Sequence, residues 1–269
     1  MTLSLPSPGQ ESSGTLTDGA GHELPYVIRL AQDPTNARTL VILHGRGANT
    51  RAARFVDSNW NIICPLDRYG ERNCGSWWLG ENGDFFVAAM LHELVRSFRE
   101  ALGNDQGLYM WGSSMGGYGA ILHGTLLRAR AIYAHIPQIR LRGTDYTDGR
   151  NKPVYDAVLG DRVNHRFADL ARFVAARPRK GLPLYFLSQN RFDYKGYLQQ
   201  HCFHFVQACQ KADLAYGLRV DPIDGHVLYR KIAETVTLFD EFAPQIDQWR
   251  RRSAETPATR QATAVVEQE

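Results

Sequence analysis

Residues 112–116, Gly-Ser-Ser-Met-Gly, put glycines two positions before and two positions after Ser114. Between a strand and a helix, that G-x-S-x-G spacing makes a sharp bend that lifts the serine hydroxyl above the sheet. The flanks suit such a bend: "LYMW" (108–111) reads as a buried strand and "YGAILHGTLLRA" (118–129) as a helix. A plain glycine-rich turn is the competing reading. A serine hydroxyl is a weak nucleophile until a base takes its proton. Of the nine histidines, His226 in "VDPIDGHVLY" is the best placed, after the last strand-like run and before the last long helical pattern. The acid that orients such a base follows the preceding strand, and "LPLYFLSQNRFDYKGY" offers Asp193 there. Asp193 could instead cap a helix. Asp224 is poorly placed, because it lies only two residues from the imidazole it would have to orient. The order serine, acid, histidine is the one used by strand–turn–helix nucleophiles. Acyl chemistry also needs donors for a developing oxyanion. "LVILHGRGAN" supplies a His-Gly-x-Gly turn after a buried strand, so one donor is expected from the Arg46 or Gly47 amide and the other from Met115.

These residues need a scaffold, and the apolar patterning supplies it. "TLVILHG", "NWNIICPLD", "GLYMWG", "AIYAHIPQI", "LPLYFLSQ" and "AYGLRVDPID" are short apolar runs of the kind found in sheets buried on both faces. "GTLTDGAGHELPYVIRLA" reads as a hairpin about a "DGAG" turn. Helical stripes alternate with the strands. Val87, Met90, Leu91, Leu94, Phe98 and Leu102 follow a capping Asp84 and stop at Gly103. Leu198, Cys202, Phe205, Val206 and Cys209 form a second stripe after Asp193, and Leu228, Ile232, Val236 and Phe239 a third after His226. Alternating strands and helices predict an α/β domain whose mostly parallel sheet is covered by helices on both faces. The domain is expected over 14–252, with a small cap-like insertion at 140–181. Polar tails are expected to be disordered over 1–13 and 253–269.

Composition narrows the function classes. A formal charge of +3 without a basic tract interleaved with aromatics argues against a nucleic-acid groove. The "WRRR" cluster at 249–252 reads as a solvated helix end. Four irregularly spaced cysteines suit neither a disulfide framework nor a zinc site, and Cys202 and Cys209 read as core residues. His201 and His204 lack a third ligand at suitable spacing, so no metal is expected. The sequence has neither a secretory signal pattern nor an apolar run long enough for a membrane span, and a cytoplasmic location is the expectation.

Taken together, "LHGRG", "GSSMG", Asp193 and "DGH" resemble the α/β-hydrolase superfamily over about residues 35–245. Within it, "GSSMGGYGAILHG" followed by "AIYAHIPQI", with its Pro137-Gln138 pair, is similar to bacterial capsular polysaccharide and glycan O-acetyltransferases. The resemblance implies that Ser114 accepts an acetyl group from acetyl-CoA and passes it to a sugar hydroxyl, with His226 and Asp193 completing the set. A carboxylesterase acting on small or sugar esters shares the same acyl-serine. A non-catalytic protein of this fold that binds a glycan or a partner is the alternative of another class. Trp77 and Trp78 could stack on a sugar or an adenine and exclude water, or be buried against the sheet. Arg46 stands where it can meet substrate. Arg128, Arg130, Arg140 and Arg142 could meet phosphates or an anionic glycan, or be solvated.

Overall fold

The computed structural model describes residues 3–103, 106–149, 151–161 and 165–254. Eight strands form one sheet in the order β1-β2-β4-β3-β5-β6-β7-β8. They are β1 (Glu11–Thr17), β2 (Glu23–Arg29), β3 (Arg38–Leu43), β4 (Trp60–Pro65), β5 (Leu108–Ser113), β6 (Ala131–His135), β7 (Leu184–Phe192) and β8 (Tyr216–Asp224). The hairpin β1–β2 is antiparallel and joins β4 antiparallel, while β4 through β8 run parallel. Every residue of β4, β5 and β6 is buried, which is why these runs are continuously apolar rather than alternating.

Helices cover both faces. Helix α1 (Phe86–Leu102) ends at a left-handed Gly103, as its sequence suggests. Its start differs, because Phe85 occupies the cap position and makes no side-chain cap, while Asp84 pairs with Glu81. Helix α2 (Met115–Leu126) lies beside α1, joined through the His92–His123 hydrogen bond at 3.0 Å. The β6–β7 connection holds α3 (Asp145–Asp148), α4 (Lys152–Leu159) and α5 (Leu170–Ala175). After β7, π-helical turns at Leu198–Phe203 lead into α6 (His204–Lys211). On the opposite face α7 (Ile232–Glu241) sets Phe239 against Trp60, Tyr109 and Phe186, and α8 (Ala243–Ala254) follows.

Three boundaries differ from the sequence expectation. Residues 11–13 belong to β1, the Gly9 amide reaches the Ala31 carbonyl and Leu3 is buried, so 3–13 of the tail expected over 1–13 lie against the domain, and 1–2 lie outside the described residues. Ser253 is buried in α8 rather than in a tail, and 255–269 lie outside the described residues. The 140–181 segment divides in two. Its first part brings Tyr146 near His226, while α5 in its second part packs on α2 and α6 as an ordinary covering helix.

The topology already marks a place for a ligand. From β3 the chain moves outward to β4, then crosses back to β5 on the other side of β3. In an open α/β sheet such a reversal leaves a crevice at the carboxyl ends of the two strands. The His-Gly-Arg-Gly turn leaves β3 there, and Ser114 leaves β5 there.

Candidate active site

Ser114 has φ 53° and ψ −116°, a conformation that a residue with a Cβ adopts only under strain. The turn is held at both ends. The Ser114 amide donates to the His135 carbonyl (2.9 Å), and its own carbonyl accepts the Tyr118 amide (3.0 Å) as the first bond of α2. The flanking glycines answer to close backbone approach. A Cβ on Gly112 would lie 2.0 Å from the Gly116 carbonyl oxygen, and one on Gly116 would lie 2.0 Å from that of Leu43.

The structure brings Ser114, His226 and Asp193 together. Ser114 Oγ is 2.7 Å from His226 Nε2, and His226 Nδ1 is 2.9 and 3.0 Å from the two oxygens of Asp193. With a carboxylate accepting at Nδ1, the imidazole carries its proton there and presents Nε2 as an acceptor to the serine. The Asp193 side chain is 1% exposed. Gln189 Nε2 (2.8 Å) and the Tyr194 amide (2.7 Å) also donate to it, so it is satisfied without serving as a helix cap. Asp224 is exposed at the end of β8. A residue that sequence reasoning missed, Asn190, fixes the histidine loop: its buried amide donates to the carbonyls of Gly225 (2.8 Å) and Val227 (3.0 Å). Its place at the end of β7, three residues before Asp193, was the available signal.

The turn after β3 corrects one expectation. The Gly47 amide donates to the Cys74 carbonyl at 2.7 Å and is not available as an oxyanion donor. Among the described residues no backbone acceptor meets the Arg46 amide, and Met115 stands at the first position of α2, where a helix leaves amides without internal partners. Arg46 and Met115 therefore remain as the candidate pair.

Behind this turn lies a buried brace built around Asp67. The Asp67 amide donates to His44 Nε2 (2.9 Å), while His44 Nδ1 bonds the Gly45 carbonyl (2.8 Å). Burial pushes His44 down to about 4, so the ring is neutral and can accept at Nε2. The Asp67 carboxylate accepts from the amides of Ser76 (2.7 Å), Trp78 (3.0 Å) and Tyr69 (3.2 Å) and from the Ser76 hydroxyl. Asn49 ties the Asp67 carbonyl (2.8 Å) to the Asn73 carbonyl (2.6 Å).

That brace explains why the tryptophans do not meet substrate as one reading expected. Trp77 and Trp78 are 2% and 0% exposed, both at positive φ, and serve as core. Trp77 Nε1 donates to Gln138 (3.0 Å) and its ring packs edge-on to Tyr155, while Trp78 lies against His44. The arginines are also otherwise engaged. Arg130 pairs with Asp247 and Arg142 with Asp156, Arg140 lies 3.7 Å from Asp169, and Arg128 follows α2 at the opposite edge of the sheet. Arg46 does border the site: it follows Gly45, which packs against Ser114, and it pairs with Glu71 at 2.7 Å. His201 and His204 serve structure, the first accepting the Ile139 and Arg140 amides and the second bonding Asp169. Trp249 is buried, with its indole N–H on the Leu182 carbonyl.

On the α7 face, a cavity of about 250 Å³ opens between the β3 turn and the histidine loop. Ile42, Gly45, Cys64, Trp111, Ser113 and Leu228 are among its lining residues. Leu228 is half exposed in the loop rather than part of the α7 stripe that its spacing suggested.

No protein-family model matches the chain, and no curated protein matches it. Solved structures do. An S-formylglutathione hydrolase from Agrobacterium tumefaciens superposes with a TM-score of 0.66 at 16% identity, covering 91% of this chain and 97% of that one. The capsule O-acetyltransferase of Neisseria meningitidis serogroup A gives 0.59 at 18% identity, covering 84% and 91%. The fluorophosphonate-binding serine hydrolase F of Staphylococcus aureus gives 0.61 at 14% identity, covering 89% and 99%. With a strained serine at the end of β5 and a histidine after β8 at the carboxyl edge of a mostly parallel sheet, the chain has the α/β-hydrolase fold.

Proposed function

We propose that this protein is a serine acyltransferase that O-acetylates a capsular or surface polysaccharide from acetyl-CoA. The observation that carries the catalytic part is the continuous chain from Ser114 Oγ through His226 to Asp193, at 2.7 and 2.9 Å. In the first half-reaction, His226 Nε2 takes the Ser114 proton as Oγ attacks the acetyl carbonyl. The oxyanion is met by the Arg46 and Met115 amides. The C–S bond then breaks, and the thiolate leaves with the proton returned by His226. In the second half-reaction a sugar hydroxyl gives its proton to His226 and attacks the acetyl-serine. The ester to Ser114 breaks, and Oγ recovers its proton. Asp193 keeps the imidazole in the tautomer that both steps use.

The polysaccharide acceptor is supported by the "GSSMGGYGAILHG" resemblance and by the likeness to a capsule O-acetyltransferase. A donor made in the cytoplasm makes that the compartment of the proposed reaction. Among the described residues no helix is long and apolar enough to cross a membrane. Likeness to an S-formylglutathione hydrolase and a serine hydrolase favours a second reading, an esterase of small or sugar esters. The two readings differ only in whether water or a sugar hydroxyl meets the acyl-serine. Purified protein incubated with acetyl-CoA and candidate polysaccharides should move radiolabelled acetyl groups onto the glycan. Hydrolysis of p-nitrophenyl acetate with no acetyl gained by any glycan would assign the esterase.

A further inference from the structure

Four of the six large hydrophobic side chains left exposed among the described residues neighbour the acid or the base. Phe192 and Tyr194 flank Asp193, and Val227 and Leu228 follow His226; all four are about half exposed. On the Asp193 side this surface is aromatic and ordered. The Tyr194 ring lies 5.4 Å from the His226 imidazole at 25°, and the Tyr146 ring lies 4.9 Å from Tyr194 at 29°. Tyr197 closes the cluster from below, edge-on to His226 at 5.0 Å and buried. Tyr194 is 51% exposed, and among the described residues no hydrogen-bond partner meets its hydroxyl. Polar groups border the same shelf. The exposed Arg46 guanidinium stands at its edge, in the turn whose Gly45 packs against Ser114, while Gln138 and Tyr155 lie buried beneath, the Gln138 amide donating to the Tyr155 hydroxyl.

A flat, half-exposed aromatic face bordered by the Tyr194 hydroxyl and the Arg46 guanidinium matches one kind of ligand closely. A pyranose ring has a face of C–H bonds and a rim of hydroxyls, so it can lie on the ring face while its edge is hydrogen-bonded. An extended acyl chain would use the apolar face but leave the polar rim unmet. We infer that Tyr194, backed by Tyr146, is the platform on which a hexopyranose ring stacks, with the exposed Arg46 guanidinium reading its hydroxyls. This names the acceptor subsite of the proposed reaction, and so rests on that reading for its role though not for its binding. It also moves sugar recognition from Trp77 and Trp78, which are core, to the tyrosines of the acid loop and α3.

Binding is tested in the full chain carrying Ser114→Ala, which removes turnover. Methyl hexopyranosides of gluco, galacto and manno configuration, with their 2-acetamido forms, are titrated and followed by saturation-transfer NMR. At least one sugar should bind with its C–H face saturated. Adding Tyr194→Ala should weaken it about tenfold, as expected for loss of one stacked ring, and Tyr194→Phe should restore it. Binding by no sugar, or equal binding with and without the Tyr194 ring, overturns the inference. Fluorophosphonate labelling of the wild-type protein tests the acyl-serine reading separately: labelling without sugar binding refutes only the platform, and sugar binding without labelling refutes only the acyltransfer.

Discussion

Replacing Asp67 by asparagine should weaken both the fold and the reaction, and the size of the first effect follows from geometry. One carboxylate oxygen accepts from the Ser76 and Trp78 amides, and the other accepts from Tyr69, with the Ser76 hydroxyl 3.0 Å from each. The asparagine can keep its carbonyl oxygen toward Ser76 and Trp78. Its amino group then faces the Tyr69 N–H, donor against donor, while the Ser76 hydroxyl turns to accept. One N–H loses its acceptor, at a cost of about 1–3 kcal/mol, offset in part because burial, which holds the Asp67 carboxyl up at about 6, favours a neutral side chain there. For a chain of this size, about 2–4 °C of Tm per kcal/mol makes that a fall of at most about 12 °C by differential scanning calorimetry. The loop also holds the Gly47 amide through the Cys74 carbonyl, and His44 through the Asp67 amide. Loosening it should displace the neighbouring Arg46 amide and lower kcat roughly ten- to hundredfold, since small misplacements carry that penalty. A variant with wild-type Tm and wild-type kcat would show that the carboxylate does not hold this turn.

His226→Ala should lower acyl turnover by roughly 10⁴-fold or more. Its Tm should stay close to wild type, because Asp193 keeps the Gln189 and Tyr194 donors; near-normal rates in stopped-flow assays would refute its role as base. Trp77→Ala should cost about 3–5 kcal/mol in urea unfolding as a cavity in the core, and a KM change without loss of stability would contradict that placement. Burial holds His44 and His135 at about 4 and His201 at about 3, below their unfolded value near 6.5. Through these three rings the unfolded chain binds more protons in that window, outweighing buried Asp67, which is held up at about 6 and binds its proton more readily when folded, so stability should be full above about pH 6.5 and fall as the pH drops toward 4. Unfolding free energies that stay level from pH 7 to 4.5 would contradict this.

The parts of the site legible in sequence are those where one residue type answers one backbone need. Gly112 and Gly116 mark close approach of main chains; the apolar run before Ser114 marks a buried strand, and the run before His226 marks the half-exposed edge strand β8, which ends at the same edge. Asp193 is then selected over Asp224, which lies only two residues from the imidazole it would have to orient. What could not be read depends on contacts between distant segments. Gly47 is spent on Cys74 because the 67–78 loop folds back, and no local pattern reports a backbone acceptor that arrives from elsewhere. Trp77 and Trp78 have the composition of a binding platform, yet positive φ and the Asp67 anchor turn both rings inward. Tyr146 reaches His226 from a segment whose short helices lack the periodicity that would announce them. The β1 boundary was missed because an edge strand of serine, glycine and threonine carries the composition of a tail.

The central claim is that Ser114 Oγ, oriented by His226, is a reactive nucleophile. The direct test is to treat the purified protein with a fluorophosphonate probe and locate the adduct by peptide mass spectrometry. The account predicts one adduct on Ser114, absent in Ser114→Ala and formed far more slowly in His226→Ala. A folded protein that takes up no probe, or takes it up equally well without the histidine, would contradict it.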